Sequence, residues 1–65
     1  MVNKDGTIQP NATYNGNYYE VSETKRGATS NVWSARDTII NRNTGRKVEK
    51  TRKEWFEFFK KFKNK

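Results

Sequence analysis

Six cations in the middle of the chain carry the chemistry that is easiest to name. Lys25 and Arg26 precede Gly27, Arg36 follows ten residues after Arg26, and Arg42, Arg46 and Lys47 surround the segment Asn43-Thr44-Gly45. A hairpin tip with several cations and free backbone amides can grip phosphate oxygens, and such contacts position a protein on a nucleic acid backbone. A second group sits near the end of the chain. Lys60, Lys61 and Lys63 belong to a twenty-residue stretch, 46–65, with nine Lys or Arg, three Glu and five aromatic rings. The first six are the candidate nucleic-acid-binding residues, and the three lysines are secondary candidates.

Other chemistries are poorly served. There is no His and no Cys, so the usual general bases, thiol nucleophiles and zinc or haem ligand sets are missing. Of the acids in the basic half, Glu54 is explained by helix capping and Glu57 by pairing along a helix. No glycine-rich nucleotide loop is present. The chain is therefore read as non-enzymatic, with no catalytic residue, no metal site and no cofactor.

Charge narrows the partner class. The net charge is +7, and it is uneven: residues 1–20 carry −1, while 21–65 carry thirteen Lys and Arg against five acids, or +8. A face this basic suits nucleic acid, with DNA favoured, or an acidic protein surface. No apolar run reaches the roughly 20 residues of a membrane span, and no apolar stretch near the start resembles a secretory signal. A cytoplasmic location follows as the expectation, in the host cytosol if the chain is viral. Oligomeric state is left open.

The elements that must hold these residues are sparse. A 65-residue chain buries only about 60% of its unfolded surface, and this one has no disulfide to staple it and no Leu. Its core must come from β-branched aliphatics and nine aromatic rings, since each ring buries a large area. Residues 1–16, rich in Asn, Gly and Thr with Pro10, are expected to form an irregular or partly disordered lead-in. Residues 17–65 are expected to form one small basic domain.

Within it, residues 17–24 alternate as a strand, with Tyr19 and Val21 on one face. Residues 32–40 read as a central strand with Trp33, Ala35 and Ile39 on one face and Asp37 interrupting it. Residues 41–45 read as a turn in which Gly45 supplies a positive φ, and 46–50 as a short third strand. Thr51-Arg52-Lys53-Glu54 fits a capping box that starts a helix. Behind it, Trp55, Phe58, Phe59 and Phe62 fall on one stripe, which is read as core. Phe56 lies off the stripe, where an exposed ring could stack on a base. The predicted fold is α+β, a three-stranded antiparallel sheet packed against one C-terminal amphipathic helix.

This order resembles the AP2-like arm-binding domains of mobile-element integrases, which pair a three-stranded sheet with a helix. The resemblance rests on Val32-Trp33 and Ala35-Arg36, on Asn43-Thr44-Gly45-Arg46-Lys47 at the turn, and on Thr51-Arg52-Lys53-Glu54. It implies a sheet that enters the major groove and basic residues near the turn that hold phosphates. With no integrase catalytic domain present, it implies an accessory protein of a phage or mobile element. Gly45-Arg46-Lys47, followed by a strand and a Glu-Trp helix, is also similar to single-strand-binding transcription coactivators, which grip unpaired strands on a sheet. A different class stays open beside these: a small protein–protein inhibitor or adaptor that docks on an acidic host protein.

Overall fold

Turn chemistry sets the order of the strands. The computed structural model describes residues 1–61. In it, strands β1 (Asn11–Tyr14) and β2 (Asn17–Thr24) are joined by Asn15-Gly16, with φ of +52° and +80°. Two consecutive positive φ values in a two-residue loop are the arrangement whose twist matches that of the flanking strands, and Asn-Gly is the pair that adopts it most readily. Strands β3 (Arg36–Asn41) and β4 (Arg46–Thr51) are joined by a four-residue loop that closes with a 2.6 Å bond from the Gly45 amide to the Asn41 carbonyl. The four strands form an antiparallel meander, β1-β2-β3-β4, followed directly by helix α1 (Arg52–Lys60).

The sheet thus has four strands where three were expected. The additional strand, β1, lies in the segment expected to be an irregular lead-in. Its composition is that of a loop, but Ala12 and Tyr14 are half-buried while Asn11 and Thr13 are exposed, the alternation of a strand with one wet face. The central strand also starts later than the expected 32–40. Residues 33 and 35 lend their carbonyls to the helix instead: the Arg52 amide bonds to the Ala35 carbonyl at 2.7 Å and the Lys53 amide to the Trp33 carbonyl at 3.1 Å. These two amides are among the first four of α1, which have no partner inside the helix. Residues 32–35 form a turn around that end rather than a ladder.

The helix begins where the capping box places it. Thr51 accepts from the Glu54 amide at 3.3 Å, and Glu54 reaches back to the Thr51 amide at 3.2 Å. From there α1 lays its apolar face across the sheet. Trp55 and Phe59 are buried with Tyr19, Ile39, Met1 and Ile8, and Phe58 is packed against that cluster. The Phe59 ring stacks on Tyr14 with centroids 4.7 Å apart and meets Tyr19 edge-on at 5.3 Å. The Trp55 indole donates to the Asp37 carbonyl at 2.8 Å. Phe62, expected in the same stripe, lies outside the described residues. The first ten residues join this core: Val2 and Ile8 form an antiparallel bridge, and the Met1 ammonium donates to the Tyr14 hydroxyl at 2.6 Å.

One buried ion pair holds the loops. Arg52 and Asp37 are both fully inaccessible, with Nε 3.0 Å from Oδ2 and Nη2 3.2 Å from Oδ1. The remaining guanidinium donors reach the Gly6 carbonyl at 2.8 Å, the Thr24 hydroxyl at 3.0 Å, the Gly27 carbonyl at 3.3 Å and the Ser30 carbonyl. A guanidinium offers five N–H donors in a rigid fork, and here that fork ties the N-terminal loop, the end of β2, the 25–35 loop and β3 to the first turn of α1. Desolvating two charges is expensive, and removing either partner of such a pair is more expensive still.

Candidate nucleic-acid interface

Strand parity decides where each cation points. Side chains alternate between the two faces of a strand, and directly paired residues share a face. The register pairs Arg36 with Thr51, Thr38 with Glu49, Ile40 with Lys47 and Glu20 with Ile40. Arg36, Lys47, Glu20 and Glu49 therefore lie on the outer face, away from the helix. Asn41 pairs with both Tyr19 and Arg46, and Asp37 pairs with Lys50. Arg46 and Lys50 consequently share the inner face with the core, so the adjacent residues Arg46 and Lys47 project to opposite sides.

Nor do the six central candidates occupy one end of the sheet. The Lys25 amide bonds to the Arg36 carbonyl at 3.1 Å, which places Lys25, Arg26 and Arg36 at the start of β3. Arg42, Arg46 and Lys47 lie at its far end, about 20 Å away for a strand rise of about 3.3 Å per residue. Three of the six are matched by acids: Lys25 with Glu23 at 3.2 Å, Arg36 with Glu49 at 3.5 Å and Arg42 with Glu20 at 3.4 Å. Such exposed pairs contribute only about 0–1 kcal/mol each, but they lower the net charge of the outer face. Arg26, Arg46 and Lys47 make no ion pair among the described residues.

Of the secondary candidates, Lys60 pairs with Glu57 at 3.9 Å and sits over the Phe56 ring at 5.6 Å. Phe56 also meets Trp33 edge-on at 5.2 Å and is half-buried, so it is not the free stacking platform that its place off the stripe suggested. Lys61 flanks a shallow depression with Lys50, Lys53 and Phe58. Lys63 lies outside the described residues.

The acids can be followed one by one. Asp5 accepts from the Thr7 amide at 3.0 Å and hydroxyl at 2.7 Å, which hold its carboxyl below the usual carboxylate range. Asp37 holds Arg52, Glu54 caps α1, and Glu20, Glu23, Glu49 and Glu57 each have a surface cation. All seven Asp and Glu side chains are thus engaged internally. The cations left without an ion pair among the described residues are Lys4, Arg26, Arg46, Lys47, Lys50, Lys53 and Lys61. Five of these seven belong to β4, to α1 or to its C-cap at Lys61.

Between β4 and α1 runs a groove of about 310 Å³. Among the described residues α1 spans nine residues and aims its last turn at Tyr14 and Tyr19, away from the hairpin end of β3 and β4. Ile39 and Val48 line the groove from the sheet, with Tyr19 from β2 and Trp55 and Phe58 from α1. Asn41, Thr44, Arg46 and Lys50 supply its polar groups. The Lys50 ammonium lies 5.1 Å from the centroid of Phe58 and 5.5 Å from that of Trp55, a favourable cation–π position. Lys50 and Lys53 were not among the residues singled out from sequence. The signal was there: in 46–50, Arg46, Val48 and Lys50 alternate with Lys47 and Glu49.

No helix among the described residues is long and apolar enough to cross a membrane. No protein-family model, curated protein or solved structure matches the chain.

Proposed function

We propose that the chain is a small, non-catalytic nucleic-acid-binding protein, with DNA favoured, that holds phosphates along the β4–α1 side. The observation that carries this reading is the uneven use of charge. Every Asp and Glu is engaged within the fold, while Arg46, Lys50, Lys53 and Lys61, on the β4–α1 side, make no ion pair among the described residues. The placement differs from the one implied by the integrase resemblance. On the outer face Glu20, Glu23 and Glu49 engage Arg42, Lys25 and Arg36, so fewer cations are left there for phosphates than on the β4–α1 side.

The test is a titration of duplex and single-stranded DNA at several salt concentrations. Counterion release gives log K a slope near −0.9 per neutralised phosphate on duplex and near −0.7 on single strands. Four engaged cations correspond to a duplex slope of about −3 to −4. Changing Arg46 and Lys50, which share the inner face, together to Ala flattens the slope by about two units with the fold intact. Absence of binding to either DNA at low salt refutes the reading.

A second reading has its own observation. Tyr18 is exposed on the outer face near Ile40 and the Arg42–Glu20 pair, and the Lys25–Glu23 and Arg36–Glu49 pairs lie further along that face, a mixed surface closer to a protein interface than to a phosphate cradle. An inhibitor or adaptor would use that face against a protein and leave bare DNA unbound.

A further inference from the structure

We infer that the groove between β4 and α1 takes one unstacked base of a single strand; this rests on the nucleic-acid reading and names which nucleic acid and which contact. Four features of the groove point to a nucleotide. Its walls are apolar and aromatic, from Ile39, Val48, Tyr19 and Phe58, and a base stacks on aromatic side chains regardless of its sequence. Asn41 and Thr44 also line it; the Asn41 Oδ1 accepts from the Asn43 amide and the Thr44 hydroxyl from the Arg46 amide, and the Asn41 Nδ2 can donate to a base edge. Arg46 and Lys50 stand on the same side of β4, where each can meet a flanking phosphate. Beyond the groove Lys53 and Lys61, without an ion pair among the described residues, line a depression with Glu54 and Glu57, whose carboxylates are engaged by the Thr51 amide and by Lys60.

The geometry also disfavours duplex. Bases in a duplex are stacked and expose only their edges, and taking one out costs unpairing as well as unstacking. A single strand supplies the same ring without that cost. Lys50 is the moving part: its ammonium lies over the Phe58 and Trp55 rings, and swinging it onto a phosphate opens those rings to the incoming base.

The experiment compares three ligands of equal length at one moderate salt concentration: an oligothymidine strand, an abasic strand and a duplex. Phosphate contact alone favours the duplex, whose charge density is highest. The expected result is at least tenfold tighter binding of oligothymidine than of either competitor. In amide-resolved NMR, the Asn41 side-chain and Thr44 resonances should shift with oligothymidine and not with the abasic strand. Val48→Phe fills the groove and should erase the tenfold preference while keeping the salt slope on duplex. Equal binding of the abasic strand, or tighter binding of duplex, overturns the base pocket while leaving phosphate binding in place. No binding to any of the three overturns both, and a groove that then responds to an acidic peptide belongs to a protein partner. Should Val48→Phe fail to fold, the abasic comparison on the parent chain still decides.

Discussion

Replacing Arg52 with Met tests the centre of the fold. The substitution keeps most of the side-chain length and removes all six hydrogen bonds that the guanidinium makes. The Asp37 carboxylate is left fully buried without a counter-charge. Removing one partner of a buried ion pair costs about 3–5 kcal/mol. A 65-residue domain at about 0.05–0.15 kcal/mol per residue has only about 3–10 kcal/mol to lose. Arg52→Met should therefore unfold the chain at room temperature, or lower its melting temperature by well over 10 °C, since about 1 kcal/mol moves a domain of this size by about 4–8 °C. Arg52→Lys should fall in between, because a single ammonium keeps the charge but cannot reach acceptors on four segments at once. The double variant Arg52→Met, Asp37→Leu should regain part of the loss, because no lone charge stays buried. Circular dichroism with urea denaturation reads all four chains. An Arg52→Met protein within about 1 kcal/mol of the parent would refute the reasoning, for the loops would then be held by something other than this pair.

Other outcomes follow from the same contacts. Trp55→Ala should cost about 3–5 kcal/mol, since the ring is buried and its indole satisfies the Asp37 carbonyl; a melt within a degree or two of the parent would show that α1 is not core. Thr51→Ala should cost about 1 kcal/mol by removing the acceptor of the capping box, with DNA titrations unchanged from the parent. Because two bonds from Thr7 hold the Asp5 carboxyl below its ordinary range, its contribution is present above the unfolded carboxyl's pKa and is lost as pH falls through the lower folded value. Acid titrations of stability should thus show the parent declining faster than Asp5→Asn, with the two curves meeting at the acid end.

Local signals in this chain were strong wherever a backbone rule acts over a few residues. The capping box at Thr51 and Glu54, the glycine turn before Arg46 and the ring stripe in α1 are all readable, because each depends on neighbours within one or two turns of chain. Asn15-Gly16 was equally readable as a hairpin loop, and it marks β1; averaging the composition of residues 1–16 hid it among other turn formers. The Arg52–Asp37 pair is different. Its members are fifteen residues apart, and the carbonyls that complete it come from Gly6, Gly27 and Ser30. No spacing in the chain marks Arg52 as buried, and within the capping box it reads as one more surface cation. The face on which a cation lies is set by strand parity and by register. Counting by twos separates Arg46 and Lys50 from Lys47, but it does not say which set faces the helix. That choice belongs to packing: the sheet turns the side with Tyr19, Ile39 and Val48 toward α1, and Arg46 and Lys50 are carried with them to the groove.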